Sequence, residues 1–200
     1  MENNQILKIK EKFPPGYKGI FKIKPLKFYF SDRFFILAIG LSFILSVVLW
    51  FYPDEQLLYI DIITKLIISI MPAMLGLSLA GFTIVISQIN EKALERITNV
   101  DVHDEKDHSL YQILNAVFSV TVLAQLIPIL IAVIINLIRP LSVQISVTGT
   151  MASFGNCVTL FFECMFFLYS LFSIIDLIQN IFTTGQTVNF IFTKDKIENT

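Results

Sequence analysis

The stretch Leu66–Asn90, LIISIMPAMLGLSLAGFTIVISQIN, carries no charged side chain from end to end. A helix needs about 20 apolar residues to cross a hydrocarbon core of roughly 30 Å, so this run alone is long enough to span a membrane. Working outward, Phe34–Pro53 is equally free of charge, and the charge-free run Ser109–Ile138 is longer still. Pro140–Phe162 is also charge-free, but its first half, LSVQISVTGTMAS, reads as a loop. The fourth span is therefore expected over Phe154–Phe182, with Glu163 and Asp176 inside it. Lipid offers the backbone no hydrogen-bond partner, so spanning segments are helices or closed barrels. These runs are far longer than the roughly 10-residue alternating strands of a barrel. The expected fold class is an all-α membrane protein with four transmembrane helices.

Composition agrees. The 200 residues are 54% hydrophobic and only 16% charged, with mean hydropathy +0.70. A soluble domain carries about 25% charged residues, which argues against a soluble enzyme, a disordered chain or an ordinary nucleic-acid-binding domain. Ile, Phe, Lys and Asn outweigh Ala, Gly and Arg, a bias that suggests a bacterial source. No cleavable leader is expected, because the first apolar run starts only after Arg33 and is long enough to span. Cys157 and Cys164 lie two helical turns apart on the fourth span. Their rise of about 10 Å along a helix exceeds the reach of a disulfide.

Charge sets an orientation. Segment 1–33 holds eight Lys/Arg and three acids. Segment 91–108 adds Lys92, Arg96 and Lys106, and the C-terminal tail adds Lys194 and Lys196. With four spans these regions share one side, and the opposite loops hold Arg139 alone. The positive-inside rule then puts both termini in the cytoplasm. This gives a basic cytoplasmic tail over residues 1–33 and a transmembrane domain over 34–182. A cytoplasmic helical hairpin near 91–108 and a cytoplasmic tail over 183–200 complete the plan.

The second span is expected to continue into the cytoplasm through EKALERIT, Glu91–Thr98, before the acidic loop NVDVHDEKDH. In the N-terminal tail, Pro14, Pro15 and Gly16 mark a turn. Apolar residues then interleave with Lys18, Lys22, Lys24 and Lys27, which fits a short strand or a segment lying on anionic headgroups. Thr187–Lys194, TVNFIFTK, is a second strand candidate that could pair with it. These lysines, with Asp101, Asp104, Glu105 and Asp107 of the acidic loop, are the candidate residues for lipid or partner binding. His103 and His108 sit among those acids, but the spacing matches neither a structural zinc site nor a calcium loop. No metal or other cofactor is expected.

Intramembrane polar residues point most directly to function. Asp61 and Lys65 are one helical turn apart, and depth counting puts Lys65 level with Glu163. A Lys65–Glu163 ion pair, extended by Asp61, is therefore expected, either fixing the helices or forming part of a sensor or ion path. Gln125 is the deepest amide of the third span, able to glue helices or face a pore. Ser69, Ala73, Gly76 and Ala80 form one stripe of small residues, suited to an oligomer seam, a pore lining or packing against a neighbouring span. Pro72 predicts a kink. No nucleophile, phosphate-binding or dinucleotide motif appears, so no enzyme activity is expected.

The length, the four spans, the cytoplasmic termini and GLSLAGFTIVISQINEKALERI leading out of the second span together resemble a known group. It is the small four-span membrane proteins of bacterial antiviral systems, most nearly the KwaA membrane subunit of Kiwa. A looser likeness extends to multi-span accessory proteins of some RNA-targeting CRISPR systems. The resemblance is one of architecture and carries over no single residue. It implies a homo-oligomeric multi-pass protein of the bacterial inner membrane that senses or anchors and recruits a soluble cytoplasmic effector. In Kiwa that partner binds nucleic acid, and no direct nucleic-acid contact is expected of this chain. The other implied role is a pore that depolarises the membrane.

Overall fold

The computed structural model describes residues 17–23, 25, 32–88, 109–144 and 149–198. The described residues form helices only. They are α1 (Tyr17–Ile23), α2 (Arg33–Trp50), α3 (Gln56–Gln88), α4 (Leu110–Gln144) and α5 (Thr150–Glu198), with a 3-10 turn, Pro53–Glu55, between α2 and α3. Four of them, α2 to α5, contain segments long and apolar enough to cross a membrane.

Asp32 starts α2, its Oδ1 accepting from the Phe34 N–H at 3.1 Å, which satisfies one of the helix's free donors. Gly149 precedes α5 at φ 94°, a conformation that costs a glycine little. Its carbonyl accepts from the N–H groups of Ala152 and Ser153.

Helix α5 is the hub and packs on α2, α3 and α4, while α3 also packs on α4 and α1 docks on α4. Two apolar clusters tie the bundle together. Leu49, Ile60, Leu160 and Cys164 join α2, α3 and α5. Ile67, Met71 and Ala132, each 0% exposed, join α3 and α4. The inward face of α3 is one stripe, Gln56, Ile60, Thr64, Ile67, Met71 and Ser78, at the three- and four-residue spacing of a packed helix.

Ring contacts and hydrogen bonds fix the register. Phe34 stacks on Phe172, Phe35 meets Tyr169, and Trp50 meets Phe154, so α2 and α5 are antiparallel. Thr64 bonds Glu163 and Ser170 bonds Met71, so α3 and α5 are parallel. Phe82 stacks on Phe118 across α3 and α4. At the end carrying the 3-10 turn, here the distal end, the helices finish nearly level. At the proximal end, where the chain enters and leaves the bundle, they do not. Helix α2 starts level with Phe172, whereas Gln88 of α3 reaches the level of Thr187 and Leu110 of α4 that of Thr184. Helices α3 and α4 thus overhang α2 by about 20 Å, and α5, which runs on to Glu198, by about 40 Å, at 1.5 Å per residue.

Several expectations are corrected. The fourth helix begins at Thr150, not Phe154, and continues to Glu198. The stretch read as a loop after Pro140 is helical through Gln144, because a proline removes one backbone bond without preventing its neighbours from bonding. Thr187–Lys194 is helix rather than strand. Helix already formed extends at little cost, and the threonines there bond back to it, Thr187 to Thr183 O and Thr193 to Asn189 O. Tyr17–Ile23 is helix, which overturns the strand alternative there but not the headgroup one; Lys24 and residues 26–31 lie outside the described residues. The expected turn at Pro14–Gly16, the extension Glu91–Thr98 and the acidic loop lie outside the described residues.

Candidate functional site: the buried polar interior

The expected Lys65–Glu163 pair does not form. Lys65 Nζ lies 2.7 Å from Asp61 Oδ2, and its side chain is 74% exposed, so this pair sits on the outside of α3. Glu163 points the other way and is 0% exposed. Thr64 Oγ1 donates to Glu163 Oε1 at 2.6 Å, and Oε2 is buried without a partner. Depth counting placed Lys65 and Glu163 level correctly but carried no rotation. Thr64, one residue earlier, turns inward while Lys65 turns out.

Gln125 is 0% exposed and its Nε2 donates to Ser78 Oγ at 2.9 Å, so it joins α4 to α3. Thr121 adds a bond to Ser173 O at 3.4 Å. Such bonds hold membrane helices together where hydrophobicity cannot.

Gln56 went unrecognised in the sequence because it follows the acidic turn Asp54–Glu55 and reads as loop. It is 1% exposed. Its Nε2 donates to Leu49 O at 3.1 Å, Ser153 Oγ at 2.8 Å and Cys157 Sγ at 3.3 Å, tying α2, α3 and α5 together. A cavity of about 490 Å³ opens beside it, lined by Trp50, Pro53, Gln56, Thr150, Ser153 and Asn156, with Gly149 and Ala152 completing the wall. Ser42 and Ser46 on α2 were also missed, and both hydroxyls are buried without a partner. Their signal was the inward stripe Ala38, Ser42, Ser46, Leu49, hidden because serine scores as neutral in a search for apolar faces. Both cysteines are free and buried, as their spacing requires.

Ser69, Ala73, Gly76 and Ala80 are all exposed. At about 100° per residue they lie on the face of α3 opposite its buried stripe. A Cβ added at Gly76 would meet nothing within 4 Å. The stripe therefore does not pack against another helix of the described bundle. We expect Gly76→Ile to leave thermal stability within about 0.5 kcal/mol of the parent, as an exposed substitution should. If the stripe joins copies of the chain, the same variant shifts native mass spectra from oligomer toward monomer.

On α1, Lys18 and Lys22 are exposed. Lys24, Lys27, Asp101, Asp104, Glu105 and Asp107 lie outside the described residues. Among the described residues no group of three or more His, Cys, Asp or Glu is placed to hold a metal. Comparison of the chain with protein-family models, with curated proteins and with solved structures finds no match in any of the three.

Proposed function

We propose that this chain is a non-enzymatic, oligomeric, multi-pass protein of the bacterial inner membrane. In this reading it works through the face bearing its termini, as a sensor or anchor for a soluble effector in antiphage defence. The observation that supports the reading best is the unequal reach of the helices. The distal ends are nearly level, whereas at the proximal end α3 and α4 overhang α2 by about 20 Å and α5 by about 40 Å. A protein that only spans needs no such projection. The excess of basic residues in the segments at that end puts it in the cytoplasm, where an effector would meet it. The defence setting rests on the architectural resemblance.

The test is a mild-detergent pulldown of the tagged chain from its host, with mass determination of the intact complex. A soluble protein in fixed stoichiometry, lost from a variant ending at Thr187, is the expected result. A homo-oligomer that captures no soluble protein would overturn the anchor reading.

A second reading is a pore between copies. The outward small-residue stripe favours it, since such a face lets helices approach closely. It predicts ion flux into liposomes that Gly76→Ile abolishes.

A further inference from the structure

Among the described residues, five side-chain atoms are buried without a hydrogen-bond partner: Ser42 Oγ, Ser46 Oγ, Gln56 Oε1, Gln125 Oε1 and Glu163 Oε2. Buried polar groups are nearly always satisfied, by protein or by internal water. The two serines are unusual for their kind. Ser69, Thr83, Thr159 and Thr183 all bond a carbonyl three or four residues back on their own helix. Ser42 and Ser46 leave that ordinary bond unmade.

Four of the five atoms descend from the distal cavity. Gln56 lines it and is bonded to Ser153 and Cys157. The ring contacts that align α2 with α5 put Ser46 level with Thr159 and Leu160, and Ser42 level with Glu163. Each step down the bundle axis is four residues, about 6 Å of rise, which one or two waters would span. At these levels Leu160 and Cys164 form an apolar cluster with Leu49 and Ile60, and the waters of this line would sit beside it. Beyond Glu163 no further unpartnered atom occurs among the described residues until Gln125, across Ile67, Met71 and Ala132, each 0% exposed. Gln125 and Ser78 lie on the far side of those three.

We propose that Glu163 is a proton-binding site within the membrane, in exchange with water from the distal end only. Thr64 donates to Oε1, which leaves Oε2 to take a proton from hydronium, the remainder leaving as water. Among the described residues no cation faces the carboxyl. Helix α2 has no charged side chain between Phe34 and its end, and α4 has none from Leu110 to Ile138. On α3, Lys65 is spent on Asp61 at the outer surface. On α5 the titratable neighbours are the thiols of Cys157 and Cys164. An uncompensated carboxylate in such surroundings is costly, so losing the proton must admit water or shift α3 against α5. That movement would give a sensor its trigger, and only this use of the site rests on the function proposed above.

Infrared spectroscopy of the full chain in vesicles of phosphatidylethanolamine and phosphatidylglycerol tests the site. We expect a protonated-carboxyl C=O band that Glu163→Gln removes, Glu163→Asp moves, and rising bulk pH bleaches. The band should shift in heavy water, and the Ser42→Ala/Ser46→Ala double variant should slow that shift by about tenfold, because burying a water file between apolar walls is unfavourable. A band indifferent to pH and heavy water would overturn the proposal, showing a sealed structural acid. A band that survives Glu163→Gln would overturn it too, and wild-type exchange in the serine double variant would overturn the route. The pulldown is a separate readout. A titrating band without a captured partner sustains the proton site and overturns the anchor reading, and a captured partner without a titrating band does the reverse.

Discussion

Leu160→Ala is expected to destabilise the bundle by about 1–3 kcal/mol, the cavity share of what emptying a packed leucine site costs. Leu160 is 1% exposed and lies where α2, α3 and α5 meet, against Leu49, Ile60 and Cys164. In lipid the transfer of the lost methyl groups contributes little, because hydrocarbon surrounds the folded and separated helices alike. The packing contribution remains, since a void removes contact atoms outright. Three helices share this void, and none can close it without opening the others. Leu77→Ala is the control. Leu77 is 70% exposed, and its truncation should change stability by no more than about 0.5 kcal/mol. Unfolding in mixed micelles of increasing denaturing-detergent fraction would measure both. Equal losses for the two leucines would mean that the bundle is not packed as described.

The second large effect is expected of Gln56→Leu. The substitution keeps most of the volume but removes the amide donor held by Leu49 O, Ser153 Oγ and Cys157 Sγ. Leu49 O keeps the Tyr52 N–H at 3.1 Å, so the cost is that of the three lost hydrogen bonds, about 0.5–1.5 kcal/mol each. We expect a loss of roughly 2–3 kcal/mol on that scale, felt mainly at the distal end, where this side chain hydrogen-bonds α2 and α5 from the start of α3. Hydrogen exchange should rise at the backbone amides of the turn between Leu49 and Gln56, while the amides around Met71 stay protected. Gln56→Glu separates geometry from chemistry, because it keeps the shape and removes the donors.

Much of this protein is written along the chain. Three runs free of charge, Leu66–Asn90 first among them, and a fourth apolar stretch holding Glu163 and Asp176 point to four helices, because lipid leaves the backbone no alternative. The two cysteines follow from arithmetic on one helix. Local errors arose where two periods competed over a short window. TVNFIFTK alternates like a strand, yet it sits on the end of a helix that had only to continue. Pro140 resembles a boundary, yet α4 runs past it to Gln144. In both places the energy of an adjoining helix outweighed the local signal.

Linear depth was readable and rotation was not. Counting residues placed Lys65 and Glu163 at one level, but one residue turns a helix by about 100°, enough to put Thr64 on the carboxyl and Lys65 on the outside. The same rotation decides that Ser69, Ala73, Gly76 and Ala80 face away from the bundle, where sequence spacing allowed either direction. Gln56, Ser42 and Ser46 are ordinary residues in the chain and become significant only when three helices close over them. The sequence by itself determined what had to be in lipid, because that choice depends on the hydropathy of each segment alone. Which polar groups meet inside, and which are left without a partner, was decided by tertiary packing, because hydrogen bonds between helices depend on mutual rotation and register that no single segment contains.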